Sequence, residues 1–206
     1  MHRLMKMKLL YSATSPFVRK VSIVLIETGL SDRVEHVPTN PWDPQSDLPA
    51  QNPIGKVPTL ISAQGVEIFD SSVICEFLDN LHAGPKMFPI DAEGRITANQ
   101  FQSLADGMMD AAVLGFIENS RRPKDRRWGE WSDRQLAAIT RSLNWLEERY
   151  PTLNQTSDIG TISVACALGY LDFRFADLEW RRDHERLSEW FEQFAQRESI
   201  RATVPV

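Results

Sequence analysis

The apolar positions of this chain change period several times in its first eighty residues, and each change marks an element. "KLLYS", residues 8–12, is a short apolar run that suits a buried strand. From Phe17 the spacing becomes helical through Val18, Val21, Val24, Leu25 and Thr28, and it stops at Gly29, a natural C-terminal cap. "RVEHVP", residues 33–38, alternates and ends at proline, so it reads as a second strand, parallel to the first because a helix joins them.

"TNPWDPQSDLPAQNP" carries four prolines and leaves room for at most a turn or two of helix. "VPTLIS" (57–62) and "VEIFD" (66–70) are two short strand patterns split by Ala63, Gln64 and Gly65, which predicts an antiparallel hairpin. Val73, Ile74, Phe77, Leu78 and Leu81 then mark one face of a helix that ends before Gly84 and Pro85. The order β-α-β, loop, β-β-α predicts one compact α/β domain over residues 1–83, followed by a Pro- and Gly-bearing linker over 84–91. Beyond it the pattern is helical throughout, so residues 92–206 are expected to form an all-α domain.

Composition changes this picture little. Of 206 residues, 42% are hydrophobic and 25% charged, the balance of a folded, water-soluble protein. A formal charge of −5 gives no overall attraction to nucleic acid or to anionic lipid. The one basic stretch, "RRPKDRRW" (121–128), reads as a solvated loop. Cys75 and Cys166 lack metal-type spacing and fall in apolar helical patterns, so they read as core thiols, and no metal site is expected. The basic start, "MHRLMKMKLLYSA", has an apolar part far shorter than a signal peptide needs, and no run is long enough for a membrane span. A cytoplasmic protein with no nucleic-acid or membrane partner is therefore expected.

Three turns carry candidate chemistry. Ser15 before Pro16 is a good helix start, since serine caps free amides and proline suits the first helical position. The positive end of such a helix also favours a thiolate. Val57 and Pro58 open a strand, a place that tolerates proline. Asp70 and Ser71 lie between a strand and a helix, where either can cap; Ser71 and the free amides suit a carboxylate, and Asp70 suits an ammonium group.

Four stretches resemble the bacterial glutathione S-transferases: "YSATSPFVRKVSIVL" (11–25), "NPIGKVPTL" (52–60), "FDSSVICEFLD" (69–79) and "ISVACALGYLDFR" (162–174). They occur in that family's order and span nearly the whole chain. The resemblance implies a thioredoxin-like N-terminal domain followed by a helical-bundle C-terminal domain. It implies glutathione as co-substrate, with Ser15 donating a hydrogen bond to its sulfur and Ser12 and Thr14 as second choices. It implies a cis Val57–Pro58 bond whose preceding backbone pairs with the cysteinyl part of glutathione, and Asp70 and Ser71 at the zwitterionic γ-glutamyl end, with Ser72 in support. Lys56 is a candidate for a glutathione carboxylate or else a solvated lysine.

The first long helix of the second domain faces the active-site cleft in this family. Met109 and Val113 are therefore candidates to line the pocket of a small hydrophobic electrophile, against the alternative that they are core. The resemblance also implies a homodimer, across which Asp106 is a candidate to reach glutathione. "RESIRATVP" (197–205) looks like the family's C-terminal segment, with Glu198 where a proline is common. "DIGT" (158–161) stands where the family carries a capping box ending in an acidic residue, and Thr161 is expected to shorten or lose the reciprocal bond.

The resulting expectation is a transferase that conjugates glutathione to the electrophile. The alternatives are a glutathione-dependent thiol oxidoreductase, which would need a cysteine where Ser15 stands, and a non-catalytic glutathione-binding or interaction module.

Overall fold

The computed structural model describes residues 6–153 and 157–205; residues 1–5, the basic start of the chain, lie outside the described residues. The first unit opens with β1 (Met7–Tyr11), α1 (Pro16–Glu27) and β2 (Val34–Pro38). After the proline-rich loop, which holds one helical turn, α2 (Leu48–Gln51), come β3 (Thr59–Ile61), β4 (Glu67–Ile68) and α3 (Ser71–Asp79). The strands form one sheet in the order β2-β1-β3-β4. β1 runs parallel to β2, with Leu9 opposite His36, and antiparallel to β3, with Leu9 opposite Leu60. β4 pairs antiparallel with β3. This is the mixed four-stranded sheet expected of a thioredoxin-like domain.

Leu9 and Leu60 from the sheet, Val21 and Val24 from α1, and Ile74 and Leu78 from α3 have no exposed surface and form the core. α1 begins where Ser15 and Pro16 predict and ends with Gly29 in the left-handed conformation, at φ 68°. The helix after β4 departs in detail from the sequence reading. It ends at Asp79, so Leu81 lies beyond it. Val73 is 52% exposed rather than part of the buried face, because α3 turns Ile74, Cys75 and Leu78 inward and Val73 falls outside that stripe. β3 starts at Thr59, since Pro58 has no N–H to give a ladder.

The second unit is helical: α4 (Ala92–Ser120), α5 (Gly129–Glu148), α6 (Tyr150–Leu153), α7 (Ile159–Arg174), α8 (Trp180–Asp183) and α9 (Glu185–Phe194). α7 is apolar on all sides and is buried from Ile159 through Leu171, so it forms the unit's centre. It packs closely on α4, and Gly160 permits this: a Cβ there would lie 2.7 Å from the Ala98 carbonyl oxygen and 2.8 Å from the Phe101 Cβ. The cap of α7 corrects an expectation. Thr161 Oγ1 accepts from the Asp158 N–H at 2.9 Å while Asp158 Oδ1 accepts from the Thr161 N–H at 3.1 Å, so the reciprocal box is intact. The threonine hydroxyl sits over the Asp158 backbone, since it also donates to the Asp158 carbonyl at 2.9 Å. Basic residues 121–128 form the expected exposed loop, closed by Glu118, whose carboxylate accepts from the Trp128 N–H and from Arg122, both at 2.7 Å.

The unit boundaries also differ from the sequence reading. The first unit runs through Phe88 and takes in the end of the chain from Glu198, and the second spans Pro89–Arg197. Residues 84–88 of the expected linker belong to the first unit because the buried Asp79 carboxylate accepts from the backbone N–H groups of Met87, at 2.9 Å, and Phe88, at 3.2 Å. The chain's end, with α10 (Glu198–Arg201), joins α1 through Arg19, which donates to the Ile200 carbonyl at 3.2 Å, and through Ser199, which donates to Glu27 at 2.5 Å. No single helix among the described residues is long and apolar enough to cross a membrane.

Candidate active site

All three chemistry-bearing turns belong to the first unit, and sheet register brings them to one edge. β1 ends at Tyr11 and leads to Ser15. β3 begins opposite that end, with Leu10 facing Thr59, so Val57 and Pro58 arrive beside it. β4 leaves at Ile68, opposite Leu60, and passes directly to Asp70. α1 and α3 therefore begin at the same edge and present two positive helix ends there. Leu10, Val18, Leu48 and Val57 pack together beneath the site.

At the first turn, the Ser15 backbone is extended, at φ −82° and ψ 123°, and its Oγ accepts from the Val18 N–H at 3.3 Å. That cap uses a lone pair. A hydroxyl has one proton to donate as well, and no bond among the described residues uses it. Ser12 and Thr14 instead face each other, with their hydroxyl oxygens 3.4 Å apart.

At the second turn the Val57–Pro58 bond is cis, as the resemblance implied. No hydrogen bond among the described residues uses the Val57 N–H or C=O, so both remain available for strand-like pairing. Lys56 is exposed and its side chain has no carboxylate partner among the described residues. The loop is fixed by Asn52, which the sequence reading quoted within "NPIGKVPTL" without giving it a role. Asn52 is 2% exposed. Its Nδ2 donates to the Lys56 carbonyl and to Thr59 Oγ1, each at 3.0 Å, and its Oδ1 accepts from the Ile54 N–H at 3.0 Å. Gly55, at φ 66°, supplies the left-handed residue this turn needs. An asparagine followed by proline and then glycine was the available signal.

At the third turn Asp70 is the cap: its Oδ1 accepts from the Ser72 N–H at 3.0 Å. Asp70 remains exposed while Ser71, the first residue of α3, is buried. The edge thus offers an extended backbone, two helix N-termini, an acidic group and a hydroxyl, a set suited to a short zwitterionic peptide with an anionic sulfur.

The other candidates lie in the second unit. Met109 has no exposed surface and Val113, one turn along α4, is half-buried. Asp106 is half-buried on the same helix. Cys75 and Cys166 form no disulfide and are fully buried.

The chain matches the family described as "Glutathione S-transferase, N-terminal domain" over residues 14–81 and "Glutathione S-transferase, C-terminal domain" over residues 129–193. It is 37% identical over 202 residues to the Escherichia coli (strain K12) protein named "Uncharacterized GST-like protein YibF", covering 97% of this chain and 98% of that one. A glutathione transferase family member from Pseudomonas fluorescens Pf-5, solved with bound glutathione, superposes with a TM-score of 0.93 at 42% identity, covering 98% of this chain and 100% of that one. A further structure of a Pseudomonas fluorescens Pf-5 family member holds S-(propanoic acid)-glutathione and superposes with a TM-score of 0.90 at 41% identity, with the same coverage. Motif order, sheet topology and these likenesses agree: the chain belongs to the glutathione S-transferase family.

Proposed function

We propose that this protein is a glutathione transferase that binds glutathione at the shared edge of its first unit and conjugates it to a small hydrophobic electrophile. The observation that carries this reading is the Ser15 hydroxyl, which caps α1 through a lone pair and keeps its own proton for a ligand. The glutathione sulfur lies against Ser15. The Val57 backbone, set by the cis bond to Pro58, pairs with the cysteinyl residue, Asp70 and Ser71 hold the γ-glutamyl ammonium and carboxylate, and Lys56 meets the remaining carboxylate. Val113 on α4 marks the electrophile's side, while Met109, which has no exposed surface, is core.

A thiol with a pKa of about 8.5 is only a few per cent ionised at pH 7, and lowering it by about two units makes it mostly thiolate, at about 2.7 kcal/mol of differential stabilisation. A charge-assisted hydrogen bond together with a helix end can supply that. The thiolate attacks the electrophilic carbon, and no serine-bound intermediate is needed. Burial of both cysteines favours conjugation over mixed-disulfide chemistry. The relatives solved with glutathione and with its propanoic acid conjugate support the same ligand class here.

Retention on immobilised glutathione followed by a conjugation assay with 1-chloro-2,4-dinitrobenzene tests the reading. Retention and turnover above the uncatalysed rate are expected. Retention without turnover of any aryl halide or Michael acceptor would leave a binding module, and no retention would remove the glutathione site.

A further inference from the structure

α5 begins at Gly129 without a side-chain cap, for Trp128 stands at the cap position. Among the described residues, nothing accepts from the N–H groups of Gly129, Glu130 or Trp131. Such an end favours an anion. Glu130, in the same turn, is engaged by Trp128, whose Nε1 donates to it at 3.4 Å. A cavity of about 410 Å³ opens at this end, wholly within the helical unit, between α4, α5 and Phe175 at the close of α7. That volume suits a small molecule.

Gln135, in the second turn of α5, lines the cavity and is only 9% exposed. Its carboxamide makes no hydrogen bond among the described residues. A carboxamide has two N–H donors and an oxygen with two lone pairs, and leaving them unpaired away from water is costly. The Gln102 amide nitrogen is also unpaired but is sealed from solvent, whereas the Gln135 carboxamide opens on the cavity. Gly115 on α4 makes the floor. A Cβ there would lie 3.7 Å from Phe175 Cζ and 3.9 Å from Gln135 Cβ, so the space a side chain would fill is part of the cavity. Half-buried Phe175 and Leu136, 39% exposed, add apolar walls.

Two charged residues on the lining set the ligand's polarity. Arg127 donates through Nε to the Arg122 carbonyl at 3.1 Å, and its terminal nitrogens make no hydrogen bond among the described residues. A guanidinium beside a helix N-terminus matches one carboxylate. Asp133, which has no ion-pair partner among the described residues, repels a second. Gln135 follows Gly129 by six residues, about 9 Å along the helix axis, so the two ends of a flat ligand can be met at once. We propose that this cavity binds a small aromatic monocarboxylate with a hydrogen-bonding group at its far end. The carboxylate meets Arg127 and the α5 amides, the ring system lies over Gly115 between Phe175 and Leu136, and Gln135 takes the far group. No glutathione contact enters this site, so it stands whether or not the transferase reading does.

Calorimetric titration of the wild-type protein with 6-hydroxy-2-naphthoate, its methyl ester and 2-naphthoate tests the proposal, with glutathione present throughout to occupy the first unit's site. The ester lacks the charge and 2-naphthoate lacks the hydroxyl. The hydroxy acid should bind about tenfold or more tightly than the ester and about fivefold more tightly than 2-naphthoate. No binding of the hydroxy acid, or equal affinity for acid and ester, overturns the proposal.

Three variants assign the preferences to this cavity. Gln135→Leu, close in size, should remove the preference over 2-naphthoate, and Arg127→Gln should lower the preference over the ester. Gly115→Leu should fill the floor and abolish binding of all three compounds. Both preferences unchanged in Gln135→Leu and Arg127→Gln would place the binding elsewhere and overturn the site. The wild-type series does not depend on how any variant folds.

Discussion

Replacing Asn52 by alanine removes the side chain that fixes the loop before β3. Two donations and one acceptance are lost, each of 3.0 Å, at a residue that is 2% exposed. The three bonds do not count equally. Thr59 Oγ1 also donates to the Lys56 carbonyl, at 3.1 Å, so that oxygen keeps a partner. The Ile54 N–H loses the acceptor it has. A net hydrogen bond contributes about 1 kcal/mol, and a stranded buried group costs about 1–3 kcal/mol, so Asn52→Ala should destabilise the protein by about 2–4 kcal/mol.

Urea unfolding at pH 7 measures the stability change, and glutathione affinity by calorimetry measures the second effect. Affinity should fall by about tenfold or more, because the Val57 backbone is no longer held for pairing. Asn52→Asp separates the contributions: it keeps an acceptor for Ile54 but turns a second oxygen toward the Lys56 carbonyl, so it should rescue neither stability nor affinity. A stability loss below about 0.5 kcal/mol in Asn52→Ala with wild-type glutathione affinity would refute Asn52 as the residue that positions this loop.

Asp70→Ala and Ser71→Ala should weaken glutathione binding more than they weaken the fold, since a lost cap costs only about 0.5–2 kcal/mol; calorimetry and thermal unfolding check the two sides. Glu147 accepts from the Leu187 N–H at 2.8 Å and from Arg186 at 3.0 Å, and these bonds outweigh its burial and hold its carboxyl below the ordinary 4.5. A depressed folded-state value means that this stabilisation is present above about pH 4.5 and is lost as pH falls through the folded value. The stability gap between wild type and Glu147→Gln, read by urea unfolding, should be constant from pH 6 to 8 and close in acid. Light scattering at micromolar concentration should give about twice the chain mass of 23.5 kDa, and a mass near 23.5 kDa would refute the homodimer and remove any role for Asp106 across an interface.

The elements legible in the sequence were those set by local period and punctuation. α1 follows its apolar spacing between a Ser-Pro start and a Gly stop, and the two short hairpin strands follow their turn. What the sequence hid was long-range or depended on burial. Ser199 meets Glu27 across 172 positions and Arg19 meets Ile200 across 181, so nothing local assigns α10 to the first unit. Asp79 draws Met87 and Phe88 inward through its carboxylate, and a proline-rich spacing reads as linker whether or not such an acceptor waits for it. The turns of the candidate site were legible where a residue acts through its own backbone position, as at the Ser15 cap, the cis Val57–Pro58 bond and the Asp70 cap. Asn52 escaped because its importance lies in what surrounds it, three partners within one loop.

The central claim is that one hydroxyl both caps α1 and lowers the pKa of bound glutathione. Thiolate absorbance of glutathione bound to wild type and to Ser15→Ala, followed against pH, tests it directly. The wild-type midpoint should lie about two units below the free thiol's value of about 8.5, and Ser15→Ala should raise it by about one unit or more. A wild-type midpoint equal to that of free glutathione, or a midpoint that Ser15→Ala leaves unmoved, would contradict the account and reduce Ser15 to a helix cap.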